Sequence, residues 1–211
     1  MSCVLALDAA TGPAAACLIL PERVIIKNSD DTLPHSRSIV PLLESLLAEA
    51  GMDWQQLDIL ALGTGPGTLT GLRIAASVLA GINAGLKLPM LELSSLAITA
   101  AQAQSDVPLW VLEDARAGEV FCGQYRQDEV LTGEACLNWS EVQQWPAGPY
   151  VSSGDVSAMI DWPRLPMQLT RAEALAVVVQ KKLQQSPDMQ GAARWLQPRY
   201  LQKSQAERIH G

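Results

Sequence analysis

The first apolar run, Val4 to Leu7, ends at Asp8, and two more short runs follow, Ala14 to Leu20 and Arg23 to Lys27, across turn signals at Asp8 to Pro13 and at Pro21-Glu22. Runs of this length bounded by Gly, Pro and Asp read as strands, and their close spacing predicts an antiparallel meander. The period then changes. Between Ser36 and Ala50 the positions Ile39, Leu42, Leu43, Leu46, Leu47 and Ala50 recur at three and four, with Gly51 as the stop, which predicts a helix. Pro41 belongs in a first turn, so that helix is expected to begin near Ser38. A buried strand is predicted from Asp58 to Gly63, in parallel pairing because a helix separates it from the meander. A helix from about Thr70 to Gly85, a strand from Pro89 to Leu93 and a short helix from Ser94 to Gln104, capped by Ser94 or Ser95, follow.

The stretch Ala103-Gln104-Ser105-Asp106-Val107-Pro108 interrupts this pattern, and strands restart at Leu109 to Leu112, Glu119 to Arg126 and Glu129 to Leu137, with Asp114 to Gly118 as a turn. Helical Ser140 to Trp145, a strand at Tyr150 to Ser152 and a long helix from Arg171 to Gln184 complete the second half. Two halves that each open with strands and continue through helices predict an α/β fold of two subdomains, 1–104 and 105–211. They suggest duplication of one unit, although no residue-level repeat marks it. The tail from Trp195, with Arg194, Arg199, Lys203 and Arg208 around and within it, is expected to pack first and fray last.

Composition narrows the setting. The 211 residues are 48% apolar and 18% charged, which suits one large or two small folded domains. A net charge of -7 argues against a broad basic face for RNA, though not against a local patch or a partner that supplies positive charge. Cys3, Cys17, Cys122 and Cys136 lie in or beside strands and form no C-x-x-C pair, so they are expected to be small buried hydrophobes in a reducing cytosol. The first apolar run lacks a basic leader, and Arg73, Asn83 and Lys87 punctuate the longest later one. Neither a signal peptide nor a membrane span is expected, and the chain reads as cytoplasmic.

The chemistry centres on Gly63-Thr64-Gly65-Pro66-Gly67-Thr68-Leu69-Thr70-Gly71-Leu72-Arg73, a glycine loop between a strand and a helix. So many glycines specify unusual backbone angles or close approaches. Thr68 or Thr70 can cap the following helix, whose free amides and dipole favour an anion. The loop is therefore a phosphate cradle or the remnant of one. It matches neither the P-loop, which needs a following lysine, nor the dinucleotide fingerprint. His35 beside Ser36 has no identifiable orienting carboxylate and reads as a capping or surface residue; with His210 as the other histidine, no zinc site is expected. Asp114, Arg116 and Glu119 read as an ion-paired hairpin rather than an acid–base pair. The helix after the loop carries Gly71, Ala75, Ala76, Ala80, Gly81 and Ala84, small enough for another helix to approach closely. With the leucine-rich helix it predicts a partner interface comprising Leu42, Leu46, Leu72, Ala75, Ala76, Leu79 and Asn83.

Four motifs in order, Leu5 to Thr11, His35-Ser36-Arg37 leading into Pro41-Leu42-Leu43, Gly63 to Ile74 and Asp114 to Phe121, resemble the bacterial TsaB family, also called YeaZ. A Pro198-x-Tyr200-Leu201 ending is also similar. The resemblance implies two actin-like, Hsp70-like subdomains, each a mixed sheet with flanking helices, the second shortened. It implies a non-catalytic partner of the paralogue TsaD that, with TsaE, helps attach a threonylcarbamoyl group to adenosine 37 of ANN-decoding tRNAs. ATP and metal are then expected on TsaD and TsaE, with tRNA contacted only through the complex, and a homodimer when the chain is alone. TsaD carries an H-x-x-x-H metal motif whose matching positions here are Ser95 and Thr99, hydroxyls that cannot replace two imidazoles. A vestigial nucleotide site would comprise Asp8, Thr11, Gly65, Gly67 and Thr68. The alternatives are a nucleotide-dependent enzyme using Asp8 near metal and phosphate, or a glycoprotease-like peptidase.

Overall fold

A computed structural model describes residues 2–30, 32–185 and 195–202. The meander forms as expected, with β1 (Val4–Asp8), β2 (Ala15–Ile19) and β3 (Val24–Asn28) paired antiparallel. After α1 (His35–Ala50), the chain inserts β4 (Ile59–Gly63) parallel to β1; after α2 (Leu69–Leu86), it adds β5 (Met90–Leu93) parallel to β4. The first sheet thus runs β3-β2-β1-β4-β5. β1, β2 and β4 are buried on both faces, and their period of two divides the core. Leu5, Leu7, Leu60 and Leu62 pack against Leu43 and Leu46 of α1 and Leu79 of α2, while Val4, Ala6, Ile59 and Ala61 point to the opposite layer.

That opposite layer contains α3 (Ser95–Gln102) and α5 (Arg171–Gln185). All eight residues of α3 are buried, because it lies between the first sheet and a second one. Ile98 and Ala101 face the first sheet, whereas Leu96, Ala97 and Ala100 pack with Leu109, Val111 and Tyr125. Small residues on every side are what a helix squeezed between two layers requires. The second sheet pairs β6 (Leu109–Arg116) antiparallel with β7 (Glu119–Arg126), with β8 (Glu129–Val130) and β9 (Ala135–Asn138) successively along the other edge of β7. After α4 (Trp139–Val142), β10 (Tyr150–Val151) joins β6 in parallel. Although α5 comes late in the chain, its Ala172, Leu175 and Val179 pack on the first sheet.

Several expectations change. Pro41 lies inside α1, which starts at His35 with Pro34 as its N-cap; the proline is exposed, so the donor it lacks is on the solvent side. His35 opens the helix rather than capping it. The expected strand from Glu129 to Leu137 is split into β8 and β9 by a turn, where Thr132 accepts the Gln124 amide. β6 runs on to Arg116, and the left-handed residues Arg116 and Ala117 turn the hairpin, while the Asp114–Arg116 pair is a loose exposed contact at 4.0 Å. Cys17 and Cys122 are buried, and burial pushes their thiols up to about 12 and about 11; Cys3 and Cys136 are half-buried. Expectations at Arg194, Lys203, Arg208 and His210 lie outside the described residues.

Leu79, fully buried where α2 meets the first sheet, sets the depth of that packing. Leu79→Ala is expected to cost about 2–5 kcal/mol, read as a lower urea midpoint; an unchanged midpoint would contradict this core.

Candidate functional site

The residues with chemical potential converge where α3 passes between the sheets. Asp8, at the end of β1, is fully buried, and its Oδ1 accepts the Ser95 hydroxyl at 2.6 Å. Its Oδ2 accepts the Arg171 Nε at 2.7 Å, in an ion pair with 8% of the arginine side chain exposed. The guanidinium uses every nitrogen. Nη1 donates to Thr99 Oγ1 at 3.1 Å and Ser153 Oγ at 3.4 Å, and Nη2 donates to the Ser95 carbonyl at 3.3 Å. Glu113, from β6, closes the far side by accepting from Thr99 Oγ1 at 3.0 Å and Ser153 Oγ at 2.7 Å. Thr11 reaches the same cluster through Ser153, at 3.3 Å between hydroxyls.

Two buried carboxylates therefore share one buried guanidinium. Burial pushes the Glu113 carboxyl up from its ordinary 4.5; Arg171 and the bonds from Ser153 and Thr99 act in the opposite direction without cancelling it. A proton on Glu113 leaves the cluster electrically balanced. Ser95, 1% exposed and donating to a carboxylate already held by arginine, is no accessible nucleophile.

The glycine loop packs onto the end of β1. A Cβ at Gly63 would stand 1.9 Å from Asp8 Oδ1, one at Gly67 would stand 2.5 Å from Ala10 Cβ, and one at Gly71 would stand 2.0 Å from the Ala9 carbonyl oxygen. Two amides of the loop are also bonded within the chain. The Gly65 amide donates to Ser95 Oγ at 3.1 Å, and the Thr68 amide donates to the Ala10 carbonyl at 2.8 Å. Thr68 is the N-cap of α2 by position, but its side chain makes no capping bond. Over the loop runs the segment 195–202. The Arg199 amide donates to the Thr64 carbonyl at 2.7 Å, Arg199 pairs with the buried Glu134 at 3.0 Å, and Arg73 donates to the Tyr200 hydroxyl at 3.2 Å. Glu134 also accepts from Ser94 and Tyr125, and burial beside that carboxylate pushes the Tyr125 phenol up.

Asp8, Thr11 and Gly65 are thus brought to one crevice, whereas Gly67 and Thr68 lie at its rim against Ala10. The residues expected at a partner interface lie inside the chain's own core. Leu42, Leu46, Leu72, Ala75, Ala76, Leu79 and Asn83 are all at most 9% exposed within their own chain. Their periodicity marks the faces of α1 and α2 that cover the first sheet. Asn83 ends α2 by bridging the backbone of Leu88, accepting its amide at 2.8 Å and donating to its carbonyl at 2.9 Å.

Sequence reasoning missed Arg171, Glu113 and Ser153. Two signals were present. Glu113 directly follows four apolar residues in β6, and Arg171 places a cation at a helix N-terminus, where the dipole disfavours it unless a buried anion compensates.

Comparison with known proteins places this geometry. The family model described as TsaD, tRNA N6-adenosine threonylcarbamoyltransferase, matches residues 32–174. The chain is 31% identical over 148 residues, 67% of its length, to the tRNA threonylcarbamoyladenosine biosynthesis protein TsaB of Haemophilus influenzae. It is 31% identical over 129 residues, 60% of its length, to TsaB of Escherichia coli. The matched stretches span 59% and 56% of those two relatives. A solved structure of YeaZ from Pseudomonas aeruginosa superposes with a TM-score of 0.79 at 29% identity, covering 95% of this chain and all of that one.

The raised Glu113 pKa fixes the sign of a pH effect. Above 4.5 the unfolded chain releases the proton that folded Glu113 still holds, so this group's contribution is complete below 4.5 and is lost as pH rises through the folded value. The stability of the parent relative to Glu113→Gln should therefore fall as pH is raised from 4.5, measured by urea unfolding; a difference that rises with pH would contradict the assignment. The two-sheet fold, the order of its motifs and these matches establish that the chain belongs to the TsaB (YeaZ) family, within the wider TsaD family.

Proposed function

We propose that the chain is a non-catalytic accessory protein in tRNA threonylcarbamoyladenosine formation, working with TsaD and TsaE on adenosine 37 of ANN-decoding tRNAs. The observation that carries this reading is the crevice itself: its polar groups are bonded to one another and to Arg171 instead of facing a substrate. ATP and metal are assigned to TsaD and TsaE, and tRNA is reached through the complex in the cytoplasm.

The outward side of α2 is the surface offered to a partner. Ser77, Ala80, Gly81, Ala84 and Gly85 are exposed, and Ile74, Val78 and Ile82 are half-buried beside them. By length and composition α2 is apolar enough to cross a membrane, yet its other side is fixed to the first sheet through Ala75, Ala76 and Leu79. A long helix with one anchored face and one small-residue face suits a second helix laid closely along it. The partner helix belongs to TsaD in the complex and to a second copy when the chain is alone.

A Cβ at Gly81 meets nothing within 4 Å, so a long side chain there does not disturb the fold. Gly81→Arg is expected to leave thermal stability unchanged while reducing co-purification with TsaD by about tenfold or more, with parallel loss of modified tRNA in a reconstituted assay. Undiminished complex would overturn the interface assignment, and full modification by TsaD and TsaE without this chain would overturn the accessory role.

A further inference from the structure

The crevice between the sheets resembles a ligand site in every respect except vacancy. Oxygen acceptors from both halves of the chain, on Asp8, Ser95, Thr99 and Ser153, surround one point occupied by the Arg171 guanidinium, with Glu113 behind the Thr99 and Ser153 hydroxyls. We infer that Arg171 is the resident cation of this crevice, a covalently tethered ligand that holds the two sheets in one mutual orientation without any bound small molecule.

Three observations carry the assignment. The first is saturation: Nε, Nη1 and Nη2 each donate to the cluster, and the partners come from β1, α3 and the segment after β10. A planar fork with donors in fixed directions matches such a set, whereas an ammonium presents one compact centre. The second is charge: Asp8 and Glu113 are both buried, and Arg171 is the cation within this cluster. The third is placement. Arg171 is the first residue of α5, which is packed on the first sheet, while Glu113 and Ser153 belong with the second sheet. The guanidinium therefore joins, at buried sites, elements that meet elsewhere through α3 and through contacts nearer the surface such as Thr11–Ser153 and Lys181–Asp128. It is a positioning residue, and its work is to keep the crevice closed.

Free guanidinium can test this, because it has the same shape and charge as the group removed. Arg171→Ala is expected to lower the melting temperature by about 10 °C. Guanidinium chloride at about 10 mM, far below denaturing concentrations, should restore a saturable part of that loss in Arg171→Ala and nothing in the parent, with ammonium chloride at equal ionic strength much less effective. Equal responses to the two salts, or an unchanged melting temperature in Arg171→Ala, would overturn the inference. If Arg171→Ala does not fold, the test moves to refolding yield with and without 10 mM guanidinium and to the double variant Asp8→Asn, Arg171→Met. Recovery in either supports the inference; no guanidinium-dependent recovery, together with a double variant less soluble than Asp8→Asn alone, contradicts it.

Discussion

A carboxylate and a guanidinium withdrawn from water coexist only when each finds the other in good geometry and the remaining donors and acceptors are met. Asp8 and Arg171 satisfy that condition across 163 residues of sequence. Removing one partner of such a pair costs about 3–5 kcal/mol, because a charge is left buried without compensation. The rest of the polar crevice is arranged around the pair. Ser95 orients one oxygen of Asp8, Thr99 and Ser153 relay the guanidinium to Glu113, and α3 carries two of these hydroxyls into the space between the sheets.

The glycine loop follows from the same constraint. For Asp8 to lie beneath it, the backbone of the loop has to pass within contact distance of residues 8–10, and a side chain at Gly63 or Gly71 would collide with the end of β1. The Gly65 and Thr68 amides are taken by Ser95 and Ala10, and the segment 195–202 crosses above through Arg199 and Tyr200. What begins in the sequence as a candidate phosphate cradle is, in the fold, a close-packed joint. Its inward side is filled by the chain's own groups, and its outward consequence is the orientation of α2, whose small-residue face is left exposed.

Much of this architecture is legible in the sequence, for identifiable reasons. The meander and α1 follow from short apolar runs and a regular three-four period, and the parallel placement of β4 follows from the crossover. Those are local or topological signals. The limits of α1 were less clear because Pro41 is tolerated on an exposed side of the helix. The residues read as a partner face follow a different rule: periodicity identifies a buried face but cannot say whether its own sheet or a partner buries it, and Leu46 and Leu79 pack on the sheet. Arg171 and Glu113 lay beyond periodicity altogether. Their roles depend on which elements meet in three dimensions, and the local traces are a carboxylate after an apolar run and a cation at the wrong end of a helix.

In the proposed role the crevice is filled from within by Arg171 and takes no nucleotide. Titration calorimetry of the isolated chain with Mg-ATP tests it most directly. The account predicts no saturable heat and no hydrolysis; saturable binding with turnover that disappears in Asp8→Ala would contradict it.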